Sequence, residues 1–287
     1  MIDRYLLRYF LAVIDSGTFT AAAAQSNVSQ PTLSAGIARL ERETGTKLFH
    51  RNSQRVELTE AGARLAVHAR RIEREFHLAQ AALTGLAPVD TLRLGMLATI
   101  ATAELAALVA ALARAAPGVR VELVEGNPRA LAQYLARGRV DAALTVLRGV
   151  APNAELLREE PYVLALPATH PLAGEPSLPG EAMADDTMIV RRQCEALPET
   201  SRYFTQRGIR PFFPLRTTND DRALEMVAAG LGVTVIPASH ARAGVVCPTL
   251  SGFDLRRTLG LVWGEDSAAV RTAAGAVVTA IHAQFGG

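Results

Sequence analysis

Gln30, Pro31, Thr32, Ser34, Ala35 and Arg39 lie in one short stretch, directly after the polar turn Ser26-Asn27-Val28. A glutamine amide carries the donor and acceptor that match N6 and N7 of adenine, and serine and threonine hydroxyls bond bases of either kind. Proline and alanine add no bulk, so a helix carrying them can approach base edges. A few residues on, Thr44 to Val56 contain no acid, while Lys47, Arg51 and Arg55 are basic and His50 lies among them. Arginines so placed suit phosphates or a minor groove. The chemistry on offer is the reading of double-stranded DNA.

The elements needed to position these groups can be read from spacing. Leu6, Phe10 and Val13 repeat as one buried face of a first helix, which Gly17 ends. Thr18 is placed to cap a second helix, kept thin by Ala21 to Ala24, and Ser29 to cap a third. Pro31 falls in the first turn, where a missing N–H costs nothing. Leu33, Ile37 and Leu40 form the third helix's buried stripe, and Pro31, Ala35, Ala38 and Arg42 lie opposite, flanked by Thr32, Ser34 and Arg39. This is a helix-turn-helix pattern, although a helical hairpin inside a larger domain would share its periodicity. The basic segment favours DNA. Leu48 and Phe49 can anchor that segment, and Val56 and Leu58 alternate with Glu57 as a short strand would, completing a wing. Residues 1–60 carry a net charge of only +1, so affinity must come from where the arginines sit.

In order along the chain stand Ala22-Ala23, Val28-Ser29-Gln30-Pro31, Leu33-Ser34, Ile37, Leu40-Glu41, Gly45, Leu48-Phe49, Arg51, Leu58-Thr59 and Ala61-Gly62. This series closely resembles the N-terminal domain of LysR-type bacterial transcriptional regulators. The resemblance implies an all-α winged helix-turn-helix with a long linker helix, followed by an α/β two-lobe domain similar to type 2 periplasmic binding proteins. It also implies a homotetramer built as a dimer of dimers, a small-molecule effector, and RNA polymerase as a candidate partner. Two positions depart from the family pattern. Ser26 replaces a usual leucine, and Ala35-Gly36 replaces polar or basic side chains, so Gly36 is expected to remove a base contact.

A chain of 287 residues allows about two domains. The boundaries expected are 1–59 for the DNA-binding domain, 60–87 for a linker helix and 88–287 for the rest. Asp3, Arg4 and Arg8 interrupt any secretory signal, and the most apolar stretch, Leu97 to Ala113, contains Glu104, so a cytoplasmic protein with no membrane span is expected. Cys194 and Cys247 match no metal or redox spacing, and the six histidines are scattered, so neither metal nor cofactor is expected. Leu65, Ala69, Ile72, Phe76, Ala79, Leu83 and Leu86 repeat in steps of four and three after Thr59, as a coiled-coil seam would. The alternative is a long helix packed on its own domain. A seam would pair two wings on two half-sites.

Strands at 92–97, 119–124 and 141–147 alternating with helices at 102–115 and 129–137 predict a parallel βαβαβ lobe. Strands at 162–167, 187–190 and 233–236 with helices at 199–207 and 220–229 predict a second lobe. Strand 258–263 and helix 267–285 return to the first. Lobe I is thus 91–161 plus 258–287, and lobe II is 162–257. The strings His170–Ala173 and Gly230–Gly232 with Pro237 occur where the LysR family tends to have them. Ligands of such sheets meet loops at the carboxyl ends of strands, here 98–102, 126–128, 145–148, 191–201 and 217–220. Thr99 and Thr102 stand at a helix N-terminus, whose dipole favours anions, and Asn127 lies in the next loop. Arg191, Arg192, Thr200 and Ser201 could complete the site from across the cleft. Helix capping and surface exposure are the plainer roles for these residues. A small anionic metabolite is the effector expected. No G-x-S-x-G elbow, phosphate-binding glycine loop or His-carboxylate cluster favours an enzyme. A thiol-based redox sensor is the remaining alternative, because Cys194 follows a strand where peroxide-sensing relatives place a reactive cysteine.

Overall fold

The computed structural model describes residues 2–50, 56–84, 91–149, 152–264, 267, 270–271 and 274–286. The chain forms two compact units, Met1–Thr91 with Gln133–Asp141, and Leu92–Ala132 with Ala142–Gly287. Among the described residues no helix is long and apolar enough to cross a membrane.

In the first unit, α1 (Arg4–Ser16), α2 (Phe19–Gln25) and α3 (Gln30–Thr44) precede a hairpin of β1 (Phe49–His50) and β2 (Glu57–Leu58), and α4 (Glu60–Thr84) follows. The stripes read from spacing are the ones buried: Leu6, Phe10, Val13, Leu33, Ile37 and Leu40 share one core with Leu48 and Phe49. Thr18 and Ser29 cap α2 and α3, their hydroxyls accepting the amides of Ala21 (3.2 Å) and Thr32 (3.3 Å). Ser26 is only half-buried at the end of α2, so it brings no hydroxyl into the core. Gly36 corrects an expectation. It faces α1 rather than outward, and a Cβ there would come within 2.7 Å of the Tyr9 ring. Glycine lets the helices cross closely and removes no base contact.

The second unit begins with β3 (Thr91–Leu97), α5 (Thr102–Ala115), β4 (Arg120–Gly126), α6 (Pro128–Ala136) and β5 (Ala142–Val146). Then come β6 (Ala154–Pro167), β7 (Ser177–Leu178), β8 (Ile189–Arg191), α7 (Leu197–Gln206), β9 (Leu215–Thr217) and α8 (Asp220–Ala228). The chain finishes with β10 (Thr234–Pro237), β11 (Val245–Val246), β12 (Thr249–Leu250), β13 (Arg256–Trp263) and α9 (Gly275–Phe285). One sheet runs in the order β10-β6-β13-β5-β3-β4, with β11 also on β6. β3 and β5 are parallel, as the alternation predicts, while β13 is antiparallel to both β5 and β6. β6 is shared by the two lobes. Its first half pairs with β13 and its second with β10 and β11. β6 and β13 therefore bring the two halves of any cleft site onto one continuous backbone.

Candidate functional site

The outer end of α3 is already organised. Gln30 donates its amide to the Ser34 hydroxyl at 3.0 Å, and the Ser29 and Thr32 hydroxyls lie 2.7 Å apart. Pro31, Thr32 and Ala35 are exposed beside them. The intrahelical bond limits the rotamers of Gln30. Arg39 differs from these neighbours: it is held by Asp3 (2.7 Å), Glu43 (2.9 Å) and the Tyr5 hydroxyl (2.6 Å). Arg51 and Arg55 lie outside the described residues.

The wing is fastened by Glu41, whose role the sequence did not announce. This buried carboxylate accepts the Leu48 amide at 2.9 Å and the Lys47 ammonium at 2.6 Å. Burial pushes the carboxyl up, but Lys47 and the Leu48 amide outweigh it and hold it below the usual carboxylate range. Behind it, Thr59 donates to the Lys47 carbonyl (2.7 Å) and caps α4 by accepting the Gly62 amide (3.0 Å). A Cβ on Gly62 would lie 2.1 Å from the Leu48 carbonyl oxygen, so only glycine fits there. Glu41→Ala leaves the Leu48 amide buried and unpaired, at about 1–3 kcal/mol. Hydrogen exchange should show it as faster exchange at Leu48 and Phe49, with the second unit unchanged; exchange at those amides equal to that of the natural chain would remove Glu41 from this role.

In the second unit a buried polar cluster joins the lobes. Thr99, fully buried at the end of β3, donates its hydroxyl to Glu195 at 2.7 Å. Arg257 on β13 donates to Glu195 (2.8 Å), to the Thr99 carbonyl (2.9 Å) and to Glu160 on β6 (2.8 Å). Burial pushes both carboxyls up, and Arg257 overrides it, so both stay below the usual carboxylate range. Next to this, Arg191 donates to both Asp220 oxygens, to the Val235 carbonyl (2.9 Å) and to the Cys194 sulfur (3.6 Å). His240 lies 3.7 Å from Asp220, yet burial and then Arg191 and Arg257 push its pKa down to about 2. The ring is neutral, so this contact is not an ion pair.

Three polar atoms around this cluster have no hydrogen-bond partner among the described residues, Arg257 Nη2 and both ring nitrogens of His240, while the Tyr162 and Ser239 hydroxyls lie beside the Glu195 and Glu160 carboxylates without a bond of good geometry. Burial, then the charge of Glu195, pushes the Tyr162 phenol up, so it remains a donor. Buried polar groups are nearly always paired, so such a concentration calls for an explanation.

The sequence-predicted contacts do not come together in one place. Thr99 belongs to the cluster. Thr102 is the first residue of α5 and bonds Asp221 of α8, while Asn127 accepts the Ala130 amide as a cap of α6. Thr200 and Ser201 line a cavity of about 590 Å³ in the second lobe. Arg191 also borders that cavity, with its three nitrogens already committed, and Arg192 is exposed. Glu160, Glu195 and Arg257 were missed, and no local motif marks them.

Residues 5–63 match the bacterial regulatory helix-turn-helix protein, lysR family, and residues 87–285 match the LysR substrate binding domain. The chain belongs to the LysR family. This LysR-family regulator is a DNA-binding protein with an effector-binding domain. It is 34% identical over 239 residues to a probable hydrogen peroxide-inducible genes activator of Mycobacterium avium, covering 81% of this chain and 77% of that one. It is 30% identical over 271 residues to the DNA-binding transcriptional dual regulator OxyR of Escherichia coli, covering 91% and 89%. A full-length cysteine-to-aspartate variant of OxyR from Pseudomonas aeruginosa aligns over 98% of this chain and 95% of its own at a TM-score of 0.69 and 25% identity.

Proposed function

We propose that this LysR-family regulator reads its operator with Gln30, Thr32 and Ser34 at base edges, with Pro31 and Ala35 permitting close approach. Arg51 and Arg55 of the wing hold phosphates or the minor groove. Arg39 can reach DNA only by exchanging its bonds to Asp3 and Glu43, which are exposed and therefore weak. The protein works in the cytoplasm as a homotetramer, a dimer of dimers seated on paired half-sites, with RNA polymerase as a further partner. Its C-terminal domain binds and does not catalyse.

The effector site of this reading is the inter-lobe cluster, and the unpartnered atoms of Arg257 and His240, beside the Tyr162 and Ser239 hydroxyls, carry it. Charge decides the ligand class. Arg191, Arg257 and Arg158 are matched by Asp220, Glu195, Glu160 and Glu104, and His240 is neutral, so every cation of the cluster already has a carboxylate partner. An incoming anion would have to displace Glu195 from Thr99. A small neutral molecule rich in hydrogen-bonding groups meets the free donors and acceptors without that cost, and it replaces the anionic metabolite expected from Thr99 and the α5 N-terminus. Binding there favours one spacing of the lobes and so one arrangement of the wings.

A second reading is redox sensing at Cys194, supported by the peroxide-responsive names of the relatives. Burial pushes the Cys194 thiol up against the pull of Arg191, and Cys247 packs in a different core cluster, so neither a ready thiolate nor a nearby resolving thiol is present among the described residues. One experiment separates the readings. A thermal-shift screen of neutral polar metabolites should give a hit whose stabilisation is reduced in Thr99→Val, because Glu195 loses its hydroxyl donor and the cluster its geometry. A peroxide arm, read by peptide mass, should leave Cys194 as the thiol. Absence of any hit together with oxidised Cys194 would reverse the assignment.

A further inference from the structure

We propose that the second lobe carries its own ligand site, for an apolar molecule with an anionic head, adjacent to the inter-lobe effector site and sharing Arg191 as a wall. The cavity of about 590 Å³ beneath α7 is lined by the second lobe alone. Its walls include Met188, Ile189, Leu197, Phe204, Ile209 and Phe213. Interiors are close-packed and leave few voids larger than a water molecule. The volume falls within the range of about 300–1,000 Å³ typical of small-molecule pockets, which are mostly apolar with a few placed polar groups.

Those polar groups fix the ligand's other end. Thr200, Ser201 and Thr205 place hydroxyls along one side of α7, and Arg210 joins them in the lining. Arg191 also borders the cavity, but its donors are held by Asp220, Val235 and Cys194. Arg210 is exposed and makes no ion pair among the described residues, so it is the cation available to a carboxylate or sulfonate. The occupant is an aromatic or aliphatic monoanion, its body against Phe204 and Phe213 and its head toward Arg210. Arg191 connects this cavity to Asp220, so occupancy lies one side chain from the inter-lobe cluster.

Titration of the full chain with 1-anilinonaphthalene-8-sulfonate and with neutral N-phenyl-1-naphthylamine tests the site. Both dyes should saturate at one per chain. Thr200→Trp fills the cavity and should weaken both by roughly tenfold or more, with Thr205→Trp as a second filling variant and circular dichroism showing that each folds. Arg210→Ala should weaken the sulfonate roughly several-fold and leave the neutral dye unchanged. Absence of saturable binding, or undiminished binding in both folded tryptophan variants, would overturn the site. Equal effects of Arg210→Ala on the two dyes would overturn the anionic head.

Discussion

Arg257→Met is expected to destabilise the C-terminal domain by about 3–5 kcal/mol, the usual cost of stripping the partner from a buried charge. Arg257, Glu160 and Glu195 have side chains exposed to only 2%, 5% and 7%. Methionine fills much the same space but leaves Glu195 without its cation and Glu160 with only the longer contact to Arg158 at 3.4 Å. The pH dependence has a definite sign. In the natural chain both carboxyls are held below their ordinary range, so their stabilisation is present above the unfolded carboxylate pKa of about 4.3 and fades as pH falls through the lowered values. In the variant, burial, the largest influence on both carboxyls, is opposed chiefly by the Ser239 amide and Arg158 at Glu160 and by the Thr99 hydroxyl at Glu195, so both rise and the penalty grows as pH rises from about 4 toward neutrality. Denaturant titrations of both proteins should therefore diverge most near neutral pH and converge in acid. A difference independent of pH would mean that lost packing, not lost charge, accounts for the effect.

Ile72→Asp and Phe76→Asp are expected to abolish assembly without unfolding the chain. Within one chain, Ile72, Phe76 and Leu83 of α4 are exposed to 39%, 44% and 88%. Exposed large apolar residues at seam spacing mark a surface that another helix covers. Nearer the helix start the same repeat turns inward: Ala69 is buried in the first unit's core and Leu65 packs against it. A seam on α4 would therefore begin near Ile72, and Leu86 lies outside the described residues. An aspartate there is harmless in the separate chain and costs several kcal/mol when buried unpaired between two. Light scattering should show loss of the native oligomer with the thermal midpoint kept. DNA affinity should fall by roughly 10²–10⁴ because two linked wings no longer act together. An intact oligomer in both variants would place the interface elsewhere.

What could be read from the sequence divides by range. The helix-turn-helix was legible because its signals are local: a cap at Ser29, a stripe at Leu33, Ile37 and Leu40, and a polar tip at Gln30. The first half of β6 was not. Residues 154–161 are rich in charge and half-exposed, so they lack the continuous apolar run that marks 162–167. The inter-lobe cluster was the least legible part, because Arg257 meets Glu195, Glu160 and Thr99 from 62, 97 and 158 positions away. Spacing shows which residues are charged and not which of them pair. For the same reason Arg191 reads as a free ligand cation in the sequence, while Asp220 holds it in the fold.

The central claim is that α3 reads DNA sequence through Gln30. Selection from a random duplex library by the full chain tests it most directly, run in parallel with Gln30→Ala and Arg51→Ala. The natural chain should enrich a site with two symmetry-related half-sites. Gln30→Ala should lose preference at one symmetric position, at about 1–3 kcal/mol, while the rest of the motif persists. Arg51→Ala should enrich the same motif with weaker binding and a flatter salt dependence. Failure of the natural chain to enrich any site, or an unaltered motif with Gln30→Ala, would contradict the account.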